Sequence, residues 1–153
     1  MKRRTLWTWI IIIVAGVIIL TVVSIFLETN PAVVKEPNWD SPQTRDLAVR
    51  ACFDCHSNQT QWPWYTKLPV GAWLAAADTV GGRQSLNFSE WGVAPSGVLG
   101  AGGGEAGTSM DRIVRVIQNG SMPPGIYTMM HPNAILNDQE KQQLIDGLQK
   151  SLQ

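Results

Sequence analysis

The sequence contains few residues that crosslink a chain or bind metals. It has two cysteines and two histidines among 153 residues. A disulfide-stapled scaffold needs more cysteines, and a structural zinc site usually takes four Cys or His ligands, so both classes are disfavoured. Basic residues are not in excess, since twelve Lys and Arg balance twelve Asp and Glu. A basic surface for binding nucleic acid is therefore not expected.

Charge is missing altogether from residues 6–27, a stretch of 22 residues. A helix of that length, rising ~1.5 Å per residue, spans ~33 Å, close to the ~30 Å hydrocarbon core of a bilayer. Lys2, Arg3 and Arg4 precede it, and such clusters stay in the cytoplasm. The stretch is longer than a signal-peptide core and lacks a small-residue cleavage site. We expect an uncleaved transmembrane anchor, with the rest of the chain outside the cytoplasm.

The remaining sequence divides into a linker and one domain. Residues 28–40 contain two prolines and no hydrophobic period, which is typical of an extended tether, although Trp39 is a candidate to dock it. In residues 41–153 apolar residues recur at helical spacing and no run alternates like a strand. The sequence therefore predicts residues 1–27 as basic tip and anchor, 28–40 as tether and 41–153 as an all-α domain.

Four helices are expected in this domain. They begin at Pro42, Pro69, Ser109 and Asn137, and the second is expected to end at Gly81-Gly82. Between the second and third helices, residues 92–108 include seven glycines in seventeen residues. No GK[ST] or GxGxxG frame accompanies them, so this is not a phosphate-binding loop, and its role stays open. The regular core is small for the domain, and a large prosthetic group would complete it.

The motif that carries chemistry is Cys52-Phe53-Asp54-Cys55-His56, or CxxCH. This spacing is typical of c-type haem attachment. Two thiols three residues apart can reach the two vinyl groups of a porphyrin, and His56 can then offer its imidazole to the iron. Zinc, a thioredoxin-like redox pair and a simple disulfide are weaker interpretations, because a second ligand pair and a βαβ context are both missing.

The candidates for a sixth iron ligand are the methionines and the second histidine. Met122 follows a predicted helix and a Gly cap and precedes Pro123-Pro124, a context that presents one side chain at a fixed point. For this reason we prefer Met122 as the distal ligand of a single covalent haem c, and a Met/His pair would raise the potential relative to bis-His ligation. Met129, Met130, His131 and an open position remain alternatives, and a Met is often core filler.

Further haem contacts are expected from the residues around the motif. The other ring nitrogen of His56 should donate to a carbonyl, for which Pro69 is the preferred residue and Pro63 the alternative. Arg83 and Lys67 are expected to be solvated, with haem propionates as their alternative partners, and Asp54 is expected to point to water. Residues expected to wall the haem are Trp62, Trp64, Tyr65, Trp73 and Trp91.

The chain resembles the haem-binding domain family of membrane-anchored mono-haem c-type cytochromes. The residues that carry the resemblance are ACFDCHSNQTQWPWY (51–65), LNFSEW (86–91) and GSMPPGIYTMMHPNAILNDQE (120–140). The resemblance covers most of residues 43–152 and implies an all-α, cytochrome c-like helical haem domain behind one transmembrane helix. It also implies that Cys52 and Cys55 hold the haem, that His56 is the proximal ligand and Met122 the distal one. His131 belongs to the resembling tail motif, so its presence alone does not argue for ligation.

Three functions are consistent with a domain that carries one haem c. The preferred one is a membrane-anchored c-type cytochrome that carries single electrons on the outer, periplasmic or extracellular, face of the cytoplasmic membrane. Its expected partners are membrane lipid and a respiratory or photosynthetic electron-transport complex or redox protein, with no nucleic acid. The alternative is a haem-based sensor or ligand-binding module with an open or displaceable sixth position. A haem enzyme such as a peroxidase is disfavoured, because only His131 could serve as distal acid or base.

Overall fold

The computed structural model describes residues 2–92 and 110–151, and the regular elements among these residues are all helices, with no strand. The all-α prediction is therefore confirmed. The α-helices are α1 (Lys2–Ile25), α2 (Pro42–Ala51), α3 (Phe53–His56), α4 (Pro69–Ser85), α5 (Met110–Gln118), α6 (Gly125–Met130) and α7 (Asp138–Ser151). Two 3₁₀ turns lie at Trp64–Lys67 and Pro132–Ala134. The glycine-rich stretch from residue 93 onward lies outside the described residues.

The chain forms two compact units that do not follow its linear order. The anchor unit comprises Met1–Thr29 and Gln61–Asp78, and the motif unit comprises Asn30–Thr60 and Thr79–Gln153. The segment predicted as a tether thus belongs to the motif unit from Asn30 onward. The assignment of residues 1–27, 28–40 and 41–153 to anchor, tether and haem domain stays a prediction.

The anchor unit is built on α1, of which Arg4–Ile25 is long and apolar enough to cross a membrane. Beyond this span, the Glu28 carboxylate accepts a hydrogen bond from Thr66 Oγ1 at 2.5 Å and pairs with the Lys67 ammonium. Burial raises the pKa of Glu28, but its bonds to Lys67 and Thr66 outweigh burial and leave the pKa below its usual range. The turn Trp64–Lys67 is thereby fixed to the end of α1.

The core of the motif unit is formed by apolar faces of α2, α5 and α7 with residues around the motif. Its buried members are Leu47, Ala48, Ala51, Phe53, Leu86, Phe88, Ile113, Ile117, Leu136, Leu144, Ile145 and Leu148. Gly147 lets α7 approach α2 closely, because a Cβ there would lie 2.0 Å from Thr44 Oγ1. The helical spacing of apolar residues predicted for residues 41–153 is confirmed on α5 and α7, which bury Ile113 and Ile117 and Leu144, Ile145 and Leu148. Leu152, at the next position of the α7 spacing, lies outside the described residues.

Helix ends follow the local sequence in most cases. The Ser41 hydroxyl caps α2 by accepting from the Thr44 amide at 3.2 Å. Asn137 and Glu140 form a reciprocal capping box before α7, with both bonds at 2.9 Å. The predicted end of α4 at Gly81-Gly82 is wrong, because the helix continues to Ser85. Gly82 serves a close packing contact described below, so a glycine here does not stop the helix.

Residues 30–40 are extended and are bound along much of their length to the motif unit. The amides of Val34 and Lys35 donate to the Ser89 carbonyl, and the Trp91 amide donates to the Lys35 carbonyl. Trp39 packs against Phe53 and Phe88, with ring centroids 6.1 and 5.4 Å away. Residues 34–39 of the linker are therefore a structural part of the motif unit, and Trp39 is their apolar anchor.

Glu36 is the polar anchor of the same segment. Its carboxylate receives two bonds of 2.8 Å from the Arg45 guanidinium. It also accepts from Trp39 Nε1 and from Gln59 Nε2. The bond from Arg45 is the largest of several causes that lower the pKa of Glu36 from 4.5 to about 2, against the opposing effect of burial.

The variant Glu36→Gln tests this anchor through pH. A carboxyl whose pKa is lowered by folding stabilises the native state above its unfolded pKa, here 4.5, and loses that effect as the pH falls toward 2. We expect wild type to have the higher urea midpoint at pH 7, and the difference to shrink progressively below pH 4.5. Circular dichroism would follow unfolding. A double variant with Arg45→Gln should add little to either single change, and a pH-independent difference would contradict the assignment.

Candidate functional site

The CxxCH motif forms one tight helical turn at the end of α2. The amides of Cys55 and His56 donate to the Cys52 carbonyl at 3.2 and 2.9 Å. Phe53 is buried in the core, so the turn is fixed from its inner side. Both cysteines are partly exposed, and neither forms a disulfide. The two thiols and the imidazole are therefore carried by a single turn with a fixed backbone.

The Cys52 thiol does not have the character of a metal or redox ligand. Burial, reinforced by the neighbouring Cys55 thiol, raises the pKa of Cys52 to about 12. Zinc binding and disulfide exchange both use thiolates, which this environment disfavours. Among residues 2–92 and 110–151, no group of three or more His, Cys, Asp or Glu side chains could hold a metal ion. A zinc site thus lacks a donor set in this part of the chain.

The imidazole of His56 is oriented by backbone carbonyls at the end of α4. Its Nδ1 lies 3.0 Å from the Gly82 oxygen and 3.1 Å from the Leu86 oxygen. Carbonyl oxygens only accept hydrogen bonds, so Nδ1 carries the proton and Nε2 keeps its lone pair. Burial lowers the pKa of His56, and the two carbonyl bonds only partly oppose this effect. The neutral ring therefore presents Nε2 as a ligand atom.

The predicted carbonyl partner of His56 is wrong. The acceptors are Gly82 and Leu86, whereas Pro69 is the first residue of α4 and Pro63 precedes a 3₁₀ turn. The two prolines were preferred as acceptors for His56 because they lie close to the motif in sequence. The long-range packing of the other end of α4 against the motif supplies the carbonyls instead. A role for Pro69 in holding the cofactor in another way stays a prediction.

Gly82 permits this packing because it has no side chain. A Cβ at this position would lie 2.3 Å from the Cys55 oxygen and 3.0 Å from the Cys55 Cβ. Real Cβ atoms do not approach a backbone oxygen so closely. By contrast, a Cβ on the adjacent Gly81 would meet nothing within 4 Å. The two neighbouring glycines therefore have different roles, and Gly82 is the one required by the motif.

Arg83 holds the other side of the motif turn, contrary to the expectation that it is solvated. Its guanidinium is buried, and Nε donates to the Ser57 carbonyl at 2.7 Å. Nη2 donates to Thr60 Oγ1 at 3.0 Å, and Thr60 in turn donates to the Asp54 carbonyl at 2.7 Å. Two hydrogen bonds thus connect Arg83 to the motif backbone. The sequence around Arg83 gave no sign that its side chain would be buried against the motif turn.

A buried amide network continues behind the motif. The Phe88 amide donates to the His56 carbonyl at 2.8 Å. Asn58 donates to the Glu90 carboxylate and to the Ala32 carbonyl, each at 2.9 Å. Asn87 donates to Asn58 Oδ1 at 3.0 Å. The segment that resembled the family through LNFSEW therefore supports the backbone of the motif.

Helix α6 is tied to the motif by Tyr127. Its hydroxyl donates to Asp54 Oδ2 at 2.7 Å, so Asp54 binds a protein group and the expectation that it points to water is wrong. The His131 ring stacks on Tyr127, with centroids 4.2 Å apart and planes 9° from parallel. His131 thus has a structural contact that accounts for its place in the sequence motif.

Met122 lies in the loop between α5 and α6, which is in the motif unit. Its amide donates to the Val116 carbonyl at 3.0 Å, and Gly120 begins the loop with a φ of 72°. The Met122 side chain is 39% exposed and does not belong to the core, which argues against a filler role. Met129 and Met130 are also exposed. Ligation by Met122 stays a prediction, with Met129, Met130 and His131 as alternatives.

Most of the residues predicted to wall the haem lie outside the motif unit, and Trp91 lies within it. Trp62, Trp64, Tyr65, Pro69 and Trp73 lie in the anchor unit, and their predicted role stays a prediction. Trp91 packs against the core of the motif unit. Trp62 Nε1 is buried without a hydrogen-bond partner among the described residues.

Comparison with known proteins agrees with the chemistry of this site. A family model described as a haem-binding domain matches residues 15–150. No curated protein and no solved structure matches the chain. The donors on the motif turn fit such a group, because neither thiol is in a disulfide and the neutral, carbonyl-oriented imidazole can ligate iron.

The pair Gly82→Ala and Gly81→Ala tests the backbone contact that orients His56. We expect Gly82→Ala to destabilise the haem protein by about 1–3 kcal/mol, because overpacking must displace the motif turn or α4. The Soret and visible bands should also shift as the His56 hydrogen bonds change. Gly81→Ala, one residue away, should be neutral or stabilise by up to ~1 kcal/mol. Thermal unfolding and absorbance would be compared, and equal behaviour of the two variants would refute the role of Gly82.

Proposed function

Since the chain belongs to the haem-binding domain family, we propose that it is a membrane-anchored mono-haem c-type cytochrome that carries single electrons. The observation that supports this best is the orientation of His56, whose Nδ1–H is held by two backbone carbonyls. This arrangement leaves Nε2 for iron and fixes the ring plane. A histidine that merely filled the core would not need both a CxxCH context and this tautomer.

Each residue of the motif has a defined part in the proposed site. Cys52 and Cys55 would form the two thioether bonds, and His56 would be the proximal ligand. When bound, haem supplies a one-electron Fe(III)/Fe(II) couple. Gly82, Leu86 and the Arg83 guanidinium hold the turn and the imidazole in place, which keeps the ligand geometry the same in both oxidation states. Such rigidity suits electron transfer, because little rearrangement accompanies the change in charge.

Met122 is the proposed distal ligand. Its thioether is partly exposed on a short loop with a fixed backbone, between α5 and α6. Thioether ligation opposite histidine raises the reduction potential relative to bis-histidine ligation. Iron held by both His56 and Met122 would have no position left for a substrate, so we propose an electron carrier rather than an enzyme. An open sixth position would instead favour a haem-based sensor.

We place the haem domain on the outer face of the cytoplasmic membrane. The basic residues 2–4 precede the apolar span and would stay in the cytoplasm. Covalent attachment of haem would keep the cofactor with the protein outside the cell membrane. The proposed partner is a respiratory or photosynthetic electron-transport complex, or a redox protein, in the same membrane.

Covalent attachment can be tested by extraction with acidified organic solvent. Wild-type protein should retain its haem in the protein pellet and give a c-type pyridine haemochrome. The double variant Cys52→Ala/Cys55→Ala should lose attachment entirely and release any bound haem to the solvent. Cys-free protein that kept its haem, or wild-type protein that released it, would contradict the proposed linkage and leave a non-covalent haem domain.

The distal ligand can be tested with Met122→Ala and, as its matched control, Met129→Ala. We expect Met122→Ala to remove the far-red charge-transfer band of sulfur–iron ligation, to allow carbon monoxide to bind the reduced protein and to lower the potential by on the order of 100 mV. Redox titration and optical spectra would measure these changes. Met129→Ala should leave all three unchanged. The reverse result would move the ligand to Met129, and a wild-type protein that binds carbon monoxide would support the sensor.

A further inference from the structure

The first half of α4 exposes its apolar side. Val70, Trp73, Leu74 and Ala77 recur at the spacing of one helix face, and all four are exposed. The helix buries Ala72 instead. An amphipathic helix normally turns its apolar stripe toward protein, so this inverted arrangement requires a different apolar environment.

Neighbouring residues extend this surface. Trp64 and Leu68, from the preceding 3₁₀ turn and its end, are exposed as well. We call the following five residues the apolar patch: Trp64, Leu68, Val70, Trp73 and Leu74. Their exposed fractions lie between 51% and 73%. Within residues 61–78 only Lys67 and Asp78 carry charge, and Lys67 is paired with Glu28.

The apolar patch belongs to the same compact unit as the membrane-spanning candidate α1. The span ends at Ile25, and Glu28 follows three residues later. Three residues cover at most ~11 Å, and the headgroup region is ~5–7 Å deep on each side of the hydrocarbon core. The bonds that Glu28 accepts from Thr66 and Lys67 therefore hold the 3₁₀ turn close to headgroup level. Trp64 and Leu68 are part of that turn or adjoin it.

We propose that the apolar patch inserts into the headgroup region of the outer leaflet and forms a second, interfacial attachment to the lipid. Tryptophan prefers this level because its ring is apolar and its N–H is polar. Aliphatic residues on one helix face, with little charge nearby, suit the boundary between headgroups and acyl chains. This inference rests on the proposed membrane anchoring. It assigns Trp64 and Trp73 to lipid in place of the haem wall predicted from the sequence.

The test uses full-length haem-loaded protein in phospholipid vesicles that contain a lipid with a photoreactive diazirine near the top of its acyl chain. After illumination, labelled peptides are mapped by mass spectrometry. We expect adducts on α1 and on residues 64–74, with labelling of α7 at background. Adducts on α1 alone would contradict the insertion of the apolar patch into lipid and would support the transmembrane anchor. Background labelling on both segments would overturn the anchor as well.

A charged variant separates lipid contact from haem contact. Val70→Glu/Leu74→Glu should lose labelling of residues 64–74 to the level of α7, while its Soret and far-red bands stay unchanged. The matched control is Val49→Glu, an exposed valine on α2 of the motif unit, which should alter neither labelling nor spectra. Shifted haem bands together with no wild-type labelling of residues 64–74 would assign this face to the haem and overturn the inference.

Discussion

The hydrogen bonds from His56 Nδ1 to the carbonyls of Gly82 and Leu86 set the requirements that the rest of the motif unit meets. A carbonyl can reach the imidazole only if the backbone of α4 passes directly over the motif turn. The missing side chain of Gly82 allows that approach. Because both acceptors are carbonyl oxygens, Nδ1 of His56 carries the proton. Nε2 is therefore the atom that can ligate a metal. One backbone contact therefore connects helix packing to the electronic state of the site.

The surrounding polar groups make this contact rigid. Arg83, adjacent to Gly82, reaches back to the carbonyl of Ser57, which is adjacent to His56. Behind the turn, Asn58 donates to Glu90 and accepts from Asn87. Buried polar networks of this kind are costly when incomplete, so a change in one member affects the others. The site is supported mainly by backbone and amide groups, with the apolar core of α2, α5 and α7 beneath it.

The sequence located the motif turn better than it located the groups that support the turn. Cys52, Cys55 and His56 are distinctive residue types at a distinctive spacing, and the stripes on α5 and α7 have the period of a helix. The acceptors for His56 had no such signal, because every residue has a carbonyl and only tertiary packing selects two of them. The same holds for Arg83, whose burial depends on distant groups. Periodicity located the stripe on α4 but could not say whether protein or lipid covers it.

For the proposed membrane-anchored electron carrier, the docked linker has a consequence for how the protein would meet its partner. A free coil of the thirteen residues 28–40 would have a root-mean-square end-to-end distance of ~20 Å. A domain on such a coil could reorient freely above the membrane. Because Val34, Lys35 and Glu36 are bonded to the rest of the motif unit, this part of the linker is not a free coil. Encounters between an anchored protein of this build and an acceptor would be governed by two-dimensional diffusion in the bilayer. Their frequency would then scale with the surface density of the two proteins, and linker length would have little influence.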